Sequence, residues 1–221
     1  MITIKPICYI IGASDNDDLY IDSSVSHFII AADGGFKALK NMGIEPDLIV
    51  GDFDSLCFKP EGENVIFHKP EKDDTDTMLA IKEGLERGFD TFILYGCLGG
   101  RLDHTIANLQ ALSFIAKKDG RGFILGSGTV ITAIKNNIFR FNEDESGIVS
   151  TFCLGSDAVG VYEKKLKYEL NNSTLTSSVA LGVSNEFIGE SAEIYVENGV
   201  LTVMWSSTPQ KFISNYLRPG K

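Results

Sequence analysis

Short apolar runs, most of them closing in a glycine or aspartate turn, alternate with helical stretches over the first 125 or so residues. The runs are residues 7–11, 27–32, 48–50, 65–68, 91–95 and 122–125. Each is the length of a strand, and their near-continuous apolar character predicts strands buried on both faces. Helices are predicted over 36–42, 75–87 and 103–118, where apolar side chains recur at helical spacing. The last of these should turn Ile106, Leu109, Ala111 or Leu112, and Ile115 toward a core. Strand–helix alternation of this kind gives a mostly parallel sheet with helices on both faces.

Beyond about residue 130 the pattern changes. Helical periodicity disappears, and short strands are predicted over 138–141, 148–154, 159–162, 166–170, 192–196 and 200–205. Glu197-Asn198-Gly199 reads as a hairpin turn and Asn171-Asn172-Ser173 as another turn. The expectation is an α/β domain over 1–130, followed over 131–221 by an all-antiparallel β-sandwich.

The net charge of −10 argues against nucleic-acid binding, which needs a basic face. It suits a cationic small molecule or metal-bridged phosphates. Cys8, Cys57, Cys97 and Cys153 form no CxxC pair, so buried free thiols are expected rather than a zinc site. Pro6 and the polar run 14–18 leave no secretory signal at the N-terminus. No stretch reaches the ~18 apolar residues of a membrane span, which makes the cytoplasm the default compartment.

The carboxylates carry the chemistry. Asp52 and Asp54 follow the strand at 48–50, and Gly51 lets the backbone come close to its neighbours. On extended chain both side chains leave one face. Two close carboxylates either share a proton or neutralise a cation. Asp73, Asp74 and Asp76 add to the group, and a divalent metal with oxygen ligands would explain all of them. The alternative for Asp73 and Asp74 is a solvated loop capping the next helix. Asp33, Asp52, Asp54 and the turn Gly99-Gly100-Arg101 all follow predicted strands, where ligands bind in open α/β sheets. Bare glycines before a helix let N–H groups approach a phosphate, and Arg101 can fork onto its oxygens. A tight turn with a capping Asp103 is the other reading.

Taken in order, Ala32-Asp33-Gly34-Gly35, Gly51-Asp52-Phe53-Asp54-Ser55, Asp73-Asp74-Thr75-Asp76 and Gly99-Gly100-Arg101-Leu102-Asp103-His104 with Ala107-Asn108 resemble the thiamine pyrophosphokinase family. Leu166-Lys167-Tyr168-Glu169-Leu170 and Ser184-Asn185-Glu186-Phe187 are similar to its two later motifs, so the likeness covers nearly the whole chain. Lys165 and Glu169 depart from it, standing where the family often has a glycine and a proline. The resemblance implies a Rossmann-like α/β domain followed by a β-sandwich, in a homodimer whose active site is shared between subunits. It implies transfer of the pyrophosphoryl group of ATP to the hydroxyl of thiamine, with Mg2+ on Asp52, Asp54 and Asp76. ATP would lie along Asp33, Gly34, Gly99, Gly100, Arg101 and Asp103, with Lys72 offsetting charge. Thiamine would meet Asp73 and Asp76 from one subunit, and Ser184, Asn185 and Phe187 from the other.

Such a transfer rests on positioning and charge neutralisation, so Asp54, Asp76 and Arg101 are the expected catalytic groups. A carboxylate bound to metal is a weak base, and the general base stays unnamed. Two rival readings are an aspartyl-phosphate phosphatase using Asp52 and Asp54, and a nucleotide sensor without catalysis.

Overall fold

The computed structural model describes residues 6–14, 16, 18–53, 62–68 and 73–218. The parallel strands are β1 (Ile7–Ile11), β2 (His27–Ala32), β3 (Leu48–Gly51), β4 (Val65–Phe67), β5 (Thr91–Tyr95) and β6 (Arg121–Gly126). Helices α1 (Gly35–Asn41), α2 (Asp76–Glu86) and α3 (Leu102–Lys117) connect them. The remaining elements are β7 (Thr129–Lys135), β8 (Ile138–Arg140), β9 (Ile148–Phe152), β10 (Ala158–Lys164), β11 (Leu170–Leu175), β12 (Asn185–Glu186), β13 (Glu193–Asn198), β14 (Val200–Ser206) and α4 (Pro209–Tyr216).

One sheet of ten strands runs β12-β9-β14-β7-β6-β5-β1-β2-β3-β4, and a second of four runs β11-β10-β13-β8. The large sheet is parallel from β4 to β6 and antiparallel from β7 onward. It does not break near residue 130. Ser127 and Gly128, both at positive φ, make a two-residue hairpin from β6 into β7.

Alternation along the strands sorts the core into two layers. Cys8, Ile10, Ile30, Val50 and Leu94 face one way and are covered by Ala80 and Ile81 of α2 and Leu112 and Ile115 of α3. Tyr9, Ile11, Ile29 and Ile49 face the other way, toward Leu39 of α1. On that side the second sheet continues the cover through Val161, Ile194 and Val196, with Trp205, Phe212 and Ile213 between them. Helices on both faces and a β-sandwich are therefore present, as the pattern predicts.

Several details differ from expectation. Glu197-Asn198-Gly199 is no hairpin: β13 belongs to the small sheet and β14 to the large one. The turn instead carries the chain across the sandwich. Gly199, at φ 119, is so close to the neighbouring turn that a Cβ would meet the Asp157 carbonyl oxygen at 2.9 Å. Residues 166–170 are not a strand. Leu166 makes a single bridge to Phe187, and β11 starts only at Leu170. Asn171-Asn172-Ser173 lies inside β11 rather than in a turn, and Asn172 takes a positive φ of 52 there. Strand β7, the short β12 and helix α4 lie outside the elements the pattern predicts. In α3, Ile106 is exposed while Asn108 is buried. Cys8, Cys97 and Cys153 are buried free thiols, as expected; Cys57 lies outside the described residues. No described helix is long and apolar enough to cross a membrane.

Candidate active site

The parallel strands run outward from β1 to β4 and then resume on its other side at β5. That reversal opens a crevice at the carboxyl ends of β1 and β5. The loops leaving these strands are laced together. Gly12 N donates to Tyr95 O at 2.7 Å and Ser14 N to Gly96 O at 3.0 Å. Ser14 Oγ reaches Gly99 O at 3.4 Å. Asn16 Nδ2 then ties the first loop to itself, donating to Gly12 O at 3.1 Å and Ser14 O at 2.7 Å.

The acidic residues gather at the same edge. Asp33 follows β2 at φ 44, and its N–H donates to Val50 O at 2.8 Å. A Cβ on Gly51 would lie 3.1 Å from Asp33 Cα, so the chain leaving β3 toward Asp52 passes directly against Asp33. Asp52 is half-buried. Phe53, at φ 62, is buried and packs its ring 6.2 Å from that of Phe67, anchoring this loop beside β4. Asp54 and Lys72 lie outside the described residues.

Asp76 is the first residue of α2, but neither Asp73 nor Asp74 caps that helix. Thr75 does, its Oγ1 accepting from Met78 N at 3.2 Å. Asp74 instead pairs with Lys82, the seventh residue of the helix, at 2.5 Å, and Asp73 is exposed. The Cys97 thiol, just past β5, donates to Tyr95 O at 3.4 Å, and burial pushes its pKa up to about 12. A thiol so held is inert, and its value here is as an anchor.

The glycine turn is built as a cradle. Gly99 and Gly100 both adopt positive φ. Asn108, buried in α3, donates its amide to Cys97 O at 2.9 Å, and Thr105 Oγ1 reaches Gly99 O at 3.3 Å. These contacts satisfy carbonyls on the inner side of the turn. Asn108 supports the turn from a position that the helical pattern did not assign to the core. The apolar stripe pointed to Ile106, whereas the turn beneath the helix needs a donor.

Arg101 is the residue before α3, and it makes no side-chain cap. Its guanidinium forks onto Asp103, with Nη2–Oδ2 at 2.7 Å and Nε–Oδ1 at 3.2 Å. That hydrogen bonding draws the Asp103 carboxyl below the usual carboxylate range. Both side chains are mostly exposed, so solvent screens the pair and it contributes little to stability. His104 is exposed beside Asp103, which accepts from its N–H.

Ser184, Asn185 and Phe187 are far from this crevice. They lie in and around β12, the opposite end of the large sheet from β2 and β3. Ser184 is exposed at φ 62, Asn185 is buried, and Phe187 packs edge-on against Phe141, ring centroids 4.9 Å apart. Six strand-to-strand steps separate β12 from β1, a path of about 30 Å along the sheet.

Among the described residues no three His, Cys, Asp or Glu side chains converge as a complete metal cage. Magnesium does not require one. It is commonly held by one or two carboxylates with substrate phosphates and water completing the shell, and Asp33 and Asp52 supply hard oxygen donors of that type.

Two family models match the chain. One, described as thiamin pyrophosphokinase, catalytic domain, covers residues 22–124; the other, its vitamin B1 binding domain, covers 136–201. A Bacillus subtilis protein named thiamine pyrophosphokinase is 28% identical over 187 residues, spanning 80% of this chain and 86% of its own. A Caenorhabditis elegans protein named thiamin pyrophosphokinase 1 is 26% identical over 174 residues, spanning 71% of this chain and 70% of its own. The crystal structure of the Bacillus subtilis thiamine pyrophosphokinase superposes with a TM-score of 0.80 at 26% identity, covering 91% of this chain and 99% of that one. That of the Geobacillus thermodenitrificans protein gives 0.76 at 25% identity, covering 92% and 98%.

Proposed function

The chain belongs to the thiamin pyrophosphokinase family, and from that premise we propose how its residues divide the work of moving a pyrophosphoryl group from ATP to the hydroxyl of thiamine, with AMP released. The observation that carries this reading is the convergence of Asp33, Asp52 and the Gly96–Arg101 turn at the crevice between β1 and β5. A phosphate chain laid there meets backbone N–H groups and a helix start on one side and carboxylates on the other.

Asp52, Asp54 and Asp76 would hold Mg2+, which when bound would supply charge neutralisation to the phosphates. Asp33 and Gly34 border the nucleotide. Gly99 and Gly100 present backbone N–H groups to the phosphates, and Arg101 leaves Asp103 to take their oxygens. Lys72 offsets charge on the leaving side. Asp73 and Asp76 face the thiamine, and Asp76 orients its hydroxyl. The acidic surroundings favour the fixed positive charge of the thiazolium.

The thiamine pocket is completed by a second copy of the chain. Support comes from the sheet: six strand-to-strand steps, a path of about 30 Å along it, lie between one subunit's β12 and its own β1. The partner subunit's Ser184, Asn185 and Phe187 close the site instead. In this division residues 1–130 carry ATP and Mg2+, and 131–221 carry thiamine binding and dimerisation. The reaction is placed in the cytoplasm.

The test is AMP release from ATP and Mg2+, measured with and without thiamine. Thiamine-dependent AMP with matching thiamine diphosphate is the expected result. ADP release, or AMP release indifferent to thiamine, would overturn the proposal.

A further inference from the structure

Two side chains of β10, Val161 and Glu163, point into the sandwich, and both are buried, at 0% and 1% exposure. A valine there belongs to the core. A carboxylate does not, and burial raises the Glu163 pKa from its ordinary value. An apolar side chain of similar volume would pack between the sheets without that desolvation cost. What the carboxylate adds is two directed bonds. One oxygen accepts from Thr151 Oγ1 of β9 at 2.6 Å, and the other accepts from Asn185 Nδ2 of β12 at 2.7 Å.

Asn185 is in turn fully used. Its Nδ2 also donates to Tyr168 O at 2.7 Å. Its Oδ1 accepts from Tyr168 N and from Glu186 N, both at 2.9 Å. Turning the amide over would set its oxygen against the carboxylate and its NH2 against two N–H donors. Glu163 therefore selects one amide orientation, and that orientation fixes two irregular segments. The first is Leu166–Glu169, which lacks a ladder of its own. The second is Ser184, held at φ 62 with its N–H on Ser150 Oγ at 3.0 Å.

Resting on the assignment of Ser184 to thiamine, we infer that Glu163 is a positioning residue for the thiamine site, acting through the Asn185 amide. It touches neither substrate. It holds the exposed Ser184 hydroxyl and the Tyr168 segment in the one arrangement that thiamine meets.

Steady-state kinetics of the full-length enzyme tests this. Glu163→Met keeps the volume and deletes both acceptors. It should raise the thiamine KM about tenfold while the ATP KM stays within about twofold. Glu163→Gln should recover most of that loss, because its amide oxygen still accepts from Asn185 and its NH2 can donate to Thr151. Thr151→Val, isosteric and milder, should raise the thiamine KM by about threefold and serves if the Met variant does not fold. NMR of the Asn185 side-chain amide reads the clamp independently of any ligand, and its proton exchange should quicken in the Met and Val variants. An unchanged thiamine KM in folded Glu163→Met, equal rises in both KM values, or a Gln variant no better than Met would overturn the inference. Ser184→Ala separates the two layers. If that variant keeps the parental thiamine KM, the thiamine assignment itself fails, whatever the amide exchange shows.

Discussion

Gly35 and Ile11 meet where there is room for a hydrogen and nothing more: a Cβ on Gly35 would stand 1.8 Å from the Ile11 carbonyl oxygen. Helix α1 therefore starts directly against the carboxyl end of β1, at one wall of the crevice. Gly35→Ala must push helix and strand apart. A loss of several kcal/mol is expected, lowering Tm by about 10 °C or preventing soluble expression. A thermal melt within about 2 °C of the parent would show that the contact is easily relieved.

Arg101 presents the opposite case. Its described partner is the exposed Asp103, so Arg101→Ala should leave Tm almost unchanged. On the proposed phosphate contact, kcat/KM for ATP should fall by a factor of about 10²–10³. Parallel melting and kinetic measurements on the same sample distinguish a solvated ion pair from a phosphate ligand.

Asn108→Leu keeps the volume of a buried side chain and removes the donor to Cys97 O. Leaving that carbonyl without its partner should cost about 1–3 kcal/mol. Because the carbonyl belongs to the glycine turn, the ATP KM should rise while the thiamine KM stays close to its parental value. Equal changes in both would detach Asn108 from the turn.

Buried Asp22 accepts from Ser24 N and Oγ and from Arg218 Nε, the last at 2.8 Å, which ties the chain's C-terminal end to the segment before β2. The hydrogen bonds, Ser24 first, lower its pKa from 3.8 to about 2. A depressed folded pKa stabilises above the unfolded value and ceases to do so as pH falls through the folded one. This contribution, on the order of 1–2 kcal/mol, should be complete at neutral pH and disappear between about pH 4 and pH 2. Urea unfolding of the parent and of Arg218→Ala should give stabilities that differ at pH 6 and converge as the acid range is entered.

If the site is shared between two subunits as proposed, two inactive variants should complement each other. Assayed at thiamine well below the Ser184→Ala KM, Asp52→Asn and Ser184→Ala should each turn over thiamine only weakly. Mixed and reassembled at random, half the dimers are heterodimers with one intact site of two, so activity should return to about a quarter of the parental level. No recovery in a sample shown to contain heterodimers would place both residues in the same subunit's site.

The readable part of this fold is the part where local and long-range demands agree. β1, β2 and β5 are buried on both faces, and their uninterrupted apolar runs show it. The second half was harder because one signal serves two geometries. A glycine at positive φ closes a hairpin, yet at Gly199 it carries the chain between sheets. Helix α4 had a legible start, Thr208 as N-cap followed by Pro209, but eight residues are too few to show a period. Asn171 to Ser173 are turn formers by composition, and pairing with β10 drew them into a strand. In the site, the carboxylates and glycines were visible because they follow strands. Asn108 was visible only as part of a motif, with no role that its helix's apolar stripe could show, and Glu163 not at all, since a polar residue on an inward-facing strand position reads as an ordinary surface charge.

The large sheet ends at one side in β12, two residues long, and at the other in β4, three residues long. Open rows of backbone amides invite pairing with stray chains, and brief terminal strands leave little template for it. A protein with ten strands hydrogen-bonded side by side thus carries its own guard against fibrillar growth, and lengthening β12 by a few β-branched residues should be the quickest way to lose it.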